Sequence, residues 1–152
     1  MRSAFPMTKI ITGLREIAAG HDALVCDVWG VLHNGDKAFA PACEALKTFK
    51  NNHGPVILLT NAPRPVKDVE ELFVEKYGVP LDCYDAIVTS GVATRDDLAE
   101  RAKSHRLAML HLGPERDRGI FEGLNIETVA VDKAEVVMCS GLYDDDTETP
   151  DD

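Results

Sequence analysis

A chain of 152 residues, 45% of them apolar, is long enough to bury one ordinary domain core. Its formal net charge of −10, without a basic cluster or an aromatic platform, argues against nucleic acid, whose protein affinity rests on phosphate neutralisation by Lys and Arg. No apolar run is long enough to span a membrane, and the first residues lack the apolar core of a secretory leader, so a cytoplasmic location is expected.

Strand and helix patterns alternate along the chain. Ile10, Ile11, Leu14, Ile17 and Ala18 form a helical stripe that Gly20 stops. A first strand is predicted over residues 23–28, followed by a loop between Gly30 and Gly35. Pro41 suits a first helical turn with Glu44 near its positive end, and Ala42, Leu46 and Phe49 then face inward. The helix ends at Asn51-Asn52-His53-Gly54, and residues 56–59 form a second strand.

Pro63-Arg64-Pro65 turns the chain into a helix lined by Val66, Val69, Leu72, Phe73 and Tyr77 and ended by Gly78. Residues 86–89 make a third strand, with Ser90 as the expected cap of a helix to about Lys103. Further strands are predicted at 107–112, 127–131 and 136–139, with a Gly113-Pro114 turn and a short helix through Phe121 between them. This alternation implies an α/β fold with a parallel, Rossmann-like sheet flanked by helices.

The last nine residues hold six acids and no base, so more than half of the acid excess sits in a tail that reads as solvated or disordered. Cys26, Cys43, Cys83 and Cys139 form no Cys-x-x-Cys pair and lie in or beside apolar segments, as buried free thiols of a reducing compartment do. With five scattered histidines they offer no close ligand pairs for zinc.

Two strand ends carry the chemistry. Ala23-Leu24-Val25-Cys26-Asp27 ends an apolar run in a carboxylate, and Val56-Ile57-Leu58-Leu59-Thr60-Asn61 ends another in a hydroxyl and an amide. Ligands of open α/β sheets collect at such strand ends. A carboxylate and a hydroxyl on neighbouring tips suit phosphoryl transfer by an Asp nucleophile, a hydrogen-bond donor and a magnesium ion. Each residue also has a plainer reading: Asp27, Thr60 and Asn61 as turn formers, Trp29 as an aromatic plug over the core, and Arg64 as an exposed turn residue. Asn34 and Asp36 read as turn residues. Gly30 to Lys37 is not a phosphate-binding P-loop, since Asp36 stands where that motif needs Lys, and no Gly-x-Gly-x-x-Gly fingerprint occurs.

Asp27-Val28-Trp29-Gly30-Val31-Leu32, then Leu58-Leu59-Thr60-Asn61, then Ile87-Val88-Thr89-Ser90 resemble, in order, the strand-end motifs of haloacid dehalogenase-like phosphohydrolases of class IIA. The resemblance is strongest between Asp22 and Arg95. It implies a magnesium-dependent phosphatase of small phosphorylated metabolites, acting through an aspartyl-phosphate on Asp27. Thr60 would assist as the second catalytic residue, and Asn61, Trp29, Gly30 and Arg64 would bind substrate. Magnesium would sit on the Asp27 carboxylate and the Trp29 carbonyl. The resemblance also implies a division into residues 1–95 of the core, 96–143 as the first part of an inserted α/β cap, and a tail at 144–152.

The chain departs from the family pattern in two ways. The general acid expected at position 29 is Trp29, which exchanges no proton, and a positioned acid is worth a factor of about 10² to 10⁴. The family's later Lys and Gly-Asp-x-x-x-x-Asp motifs do not follow the third strand. The expectation is therefore the amino-terminal part of such a protein, with core and cap both incomplete and no turnover on its own. A non-catalytic phosphate-binding or interaction module on the same scaffold is the alternative, and the incomplete sheet offers a surface for association.

Overall fold

Apolar strands joined by amphipathic helices build two separate parallel sheets in the computed structural model, which describes residues 10–144 and 147–149. In the first sheet β1 (Leu24–Asp27), β2 (Val56–Thr60) and β3 (Ala86–Thr89) lie in the order β1-β2-β3. The register sets Asp27 beside Leu59 and Thr60 beside Thr89. Parallel neighbours need crossover connections, and α1 (Ala40–Asn52) and α2 (Val66–Leu72) supply them.

Both helices cover one face. Leu46 and Phe49 of α1 and Val69 of α2 share a buried core with Val28, Val56, Leu58 and Ile87. Side chains alternate along a strand, so Val25, Leu59 and Val88 fall on the other face, where they are 62%, 51% and 42% exposed. That face is apolar and uncovered among the described residues. Polar ties fix the covered side: the Lys50 ammonium pairs with Asp85 at 3.1 Å and donates to the Tyr84 carbonyl, and Asp85 accepts from the Val56 N–H at 2.8 Å.

The second sheet holds β4 (Leu107–Leu112), β5 (Ile126–Thr128) and β6 (Val136–Cys139) in the order β5-β4-β6. It is reached through α3 (Ser90–Arg101), whose Leu98 packs with Met109, Ile120, Phe121 and Met138 in a second core. Arg95 on α3 donates to the carbonyls of Ile120 and Glu122, both at 2.9 Å, which locks the helix to the segment between β4 and β5.

The strands at 86–89, 107–112 and 136–139 lie where the sequence places them, and β5 is displaced to Ile126–Thr128. Several expectations need correction. The first apolar stripe is two single 3₁₀ turns, Leu14–Glu16 and Ala18–Gly20, because the stretch between Gly13 and Gly20 is too short to nucleate an α-helix. Thr89, not Ser90, caps α3: its Oγ1 accepts from the Val92 N–H at 3.0 Å. The helix after β2 widens into a π-turn, Phe73–Tyr77, before Gly78 closes it at φ 71°. Of the four thiols Cys43 and Cys83 are buried, Cys26 is half-buried and Cys139 is exposed. The amino-terminal residues 1–9 and most of the acidic tail lie outside the described residues. No helix among the described residues is long and apolar enough to cross a membrane.

Candidate active site

The carboxylate at the tip of β1 begins a tightly folded loop. The Val28 N–H donates to Asp27 Oδ1 at 2.7 Å, and the Val28 carbonyl accepts from Leu32 at 2.8 Å and Val31 at 3.2 Å. Gly30 turns at φ 78°, which favours glycine, and its N–H donates to the His33 carbonyl at 2.8 Å. Asn34 Oδ1 accepts from the N–H groups of Asp36 and Lys37, so this Asn is a turn former, as expected.

His33, unassigned by the sequence, organises this loop. It is buried and stacks on Tyr77 with centroids 4.1 Å apart and planes 9° apart. Trp29 meets it edge-on at 5.4 Å and Phe73 at 6.0 Å. The Gly35 N–H donates to His33 Nδ1 at 3.0 Å, which leaves the proton of the neutral ring on Nε2. Burial, aided by the nearby Lys76 charge, holds the His33 pKa below its usual value and keeps the ring neutral.

Trp29, His33, Thr60 and Arg64 come together around one cavity of about 210 Å³, whose inner wall is the Phe73 and Tyr77 rings. Thr60 Oγ1 accepts from the Ala62 N–H at 3.2 Å and keeps its own proton for a ligand. The Arg64 backbone is pinned, its carbonyl accepting from Thr89 Oγ1 at 2.7 Å, while its guanidinium has no partner among the described residues.

Asn61 borders a second cavity, of about 330 Å³, with Ser90 and with Cys139, Ser140 and Gly141 from the tip of β6. Ser90 Oγ lies 2.9 Å from the Asn61 carbonyl and 3.0 Å from that of Ala62, so it braces the loop after β2 instead of capping a helix. Asp27 lines neither cavity and has no hydrogen bond to Thr60, Asn61 or Arg64. A larger cavity, of about 550 Å³, lies between α1 and the turn at Leu14–Glu16 and includes none of these groups.

The donor set suits a hard cation. One Asp27 carboxylate oxygen is used by Val28, and the other accepts nothing among the described residues, nor does the Trp29 carbonyl. Magnesium is commonly held by one or two protein oxygens, with water and phosphate completing its shell. No cluster of three or more His, Cys, Asp or Glu side chains forms a self-sufficient metal site among the described residues.

The sequence model of the haloacid dehalogenase-like hydrolases matches residues 24–127. The chain belongs to this family. A haloacid dehalogenase-like hydrolase from Brucella suis 1330 is 43% identical with a TM-score of 0.80, over 90% of this chain and 51% of that one. NagD from E. coli K-12 is 24% identical with a TM-score of 0.58, over 78% of this chain and 45% of that one. A glycerol phosphate phosphatase from Mycobacterium tuberculosis, in complex with magnesium, is 20% identical with a TM-score of 0.54, over 83% of this chain and 38% of that one. The latter two bear on the fold alone. The chain spans about half the length, or less, of these solved family members. No curated protein sequence matches it.

Proposed function

We propose that the strand tips of the first sheet form the phosphoryl-transfer half of a magnesium-dependent phosphatase acting on small phosphomonoesters. The register carries the reading: it sets Asp27 beside Leu59, so the carboxylate and the Thr60-Asn61 pair end adjacent parallel strands. Asp27 is the nucleophile, the Thr60 hydroxyl and the Asn61 backbone N–H hold phosphoryl oxygens, and Arg64 offers its unpartnered charge to the phosphate. The Asp27 carboxylate and the Trp29 carbonyl would hold magnesium, which would supply charge neutralisation to phosphoryl transfer. The left-handed turn at Gly30 lets the loop fold back over the strand tip.

Residues 1–95 are assigned to the core and 96–143 to the first part of a cap, a division that falls within α3. The cavity shared by Asn61 and Ser140 lies between these two parts. The 152 residues on their own bind phosphate without appreciable turnover, because the Lys and second acidic motif of the family are not among them.

Calorimetry of inorganic phosphate with and without magnesium tests the reading. The metal strengthens phosphate binding by the wild-type chain, and Asp27→Asn abolishes that gain. Phosphate affinity indifferent to magnesium, or unchanged in the variant, defeats the proposal. Brisk phosphate release by the chain alone defeats the statement about turnover.

A further inference from the structure

The second sheet carries a polar cluster at its own strand tips, where ligands of parallel sheets collect. His111 lies near the end of β4, and Ser140 follows β6, the strand paired with β4. Their side chains meet, with Ser140 Oγ 3.0 Å from His111 Nε2. In the tautomer protonated at Nδ1, Nε2 accepts the serine proton, which is what a general base must do. Gly113 closes one side of the pair: a Cβ built there would lie 2.1 Å from Ser140 Oγ and 3.1 Å from His111 Nε2.

A third group acts on the imidazole. Asp117, in the turn Glu115–Ile120, is 2% exposed, and its buried Oδ1 has no hydrogen-bond partner. Burying such a group unpaired is costly, so a role is sought for it. Burial lowers the His111 pKa and keeps the ring neutral, ready to take a proton. The Asp117 charge acts the other way and stabilises the imidazolium once it forms.

Ser140 lines the cavity of about 330 Å³ together with Gly141, Ile120 and Met138, whereas Asp27, Thr60 and Arg64 take no part in it. The Gly141 N–H has no acceptor among the described residues. It belongs to the residue after Ser140, a position from which hydrolases present a backbone donor to an oxyanion.

We infer that Ser140 is a nucleophile activated by His111, and that this cavity is a second site, one that hydrolyses small carboxylic esters. The inference goes beyond the phosphoryl-transfer reading and does not depend on it. Ser140 Oγ bonds to the ester carbonyl carbon as its proton passes to His111 Nε2. The ester C–O bond breaks, the alcohol leaves with that proton, and the acyl group stays on Ser140. Water then attacks the acyl carbon, giving its proton to His111. The carboxylic acid departs and the proton returns to Ser140 Oγ.

Diisopropyl fluorophosphate tests this on the full chain, with EDTA present so that magnesium-dependent chemistry contributes nothing. Ser140 Oγ bonds to phosphorus, the P–F bond breaks, fluoride leaves with the electron pair, and the serine proton passes through His111 to solvent. Peptide mass mapping is expected to find a single diisopropylphosphoryl group, on Ser140. Ser140→Ala loses this adduct, and His111→Gln forms it about a hundredfold more slowly, with circular dichroism confirming that both fold. In the wild type the labelling rate is expected to be level above pH 6.5 and to fall below it, as the ring, with Asp117, Glu115 and Arg118 around it, takes up its proton. That profile decides the matter even where a variant does not fold. No label, a label on Cys139 or any other residue, or a rate indifferent to the protonation of His111 overturns the inference.

Discussion

Gly35 decides where the indole of Trp29 lies. Its φ of 91° is in the left-handed region, and a Cβ built there sits 2.5 Å from Cη2 of the tryptophan. Gly35→Ala therefore strains the backbone and pushes the ring off its seat against His33. A residue forced to hold φ above zero without glycine costs more than about 1 kcal/mol. The variant is expected to lose that much stability to urea and to shift the emission of the sole tryptophan as its ring leaves the loop. Unchanged emission with unchanged stability means that the ring is not held there. Nothing in the local sequence announces this contact: the spacing Trp29-x5-Gly35 reads as two features of a loop, and only folding brings Tyr77 to stack under His33 and complete the seat.

At the scale of elements, Thr89 is the joint between β3 and α3. It is 1% exposed, its hydroxyl donates to the Arg64 carbonyl at 2.7 Å, and the same oxygen accepts from the Val92 N–H at 3.0 Å. It ends a strand, caps a helix and anchors the turn that carries Arg64. Thr89→Ala removes the cap and leaves the Arg64 carbonyl without its donor, at a cost of about 1–3 kcal/mol. Thr89→Ser, which keeps the oxygen, is expected to restore most of it. Urea midpoints of the two variants measure this, and equal losses in both contradict the capping account.

The sequence left the choice between Thr89 and Ser90 open to error because both residue types cap helices well. The pairing of Thr89 with Thr60 in the sheet settles it, and that pairing is non-local. The strands at 86–89, 107–112 and 136–139 were legible because short apolar runs bounded by turn residues have few alternatives. The stripe from Ile10 to Ala18 had helical spacing without helical length. The strand-tip residues were readable as residues, whereas their grouping was not: Trp29, Thr60 and Arg64 share a cavity that Asp27 does not line.

Across the whole molecule, one buried imidazole, His33, and one half-buried, His111, set how stability responds to mild acid. Burial lowers the pKa of His33 in the first sheet's core and, as the largest influence, that of His111 beside Phe121 in the second. Around His33 the Lys76 charge acts in the same direction. Around His111, Asp117 and Glu115 act against the burial and Arg118 acts with it. Above the ordinary value of 6.5 both rings are neutral whether the chain is folded or not, and they contribute no pH dependence. Below 6.5 the unfolded chain takes protons that the folded one refuses. Stability therefore falls as pH falls, by at most about 1.4 kcal/mol per pH unit for each ring.

The carboxylates enter later. Asp85, stabilised as an anion by the Val56 N–H and Lys50, and Glu135, stabilised by His105, are both held below their ordinary values of 3.8 and 4.5. What they contribute is present above those values and is lost only as pH drops through the depressed ones. The window from about pH 6.5 to 4.5 thus belongs to the two histidines. Urea midpoints are expected to decline across it in the wild type and to flatten when His33→Gln and His111→Gln are combined. A decline of the same slope in the double variant refutes the assignment, and a flat wild-type profile shows that both rings accept protons as readily in the fold as out of it.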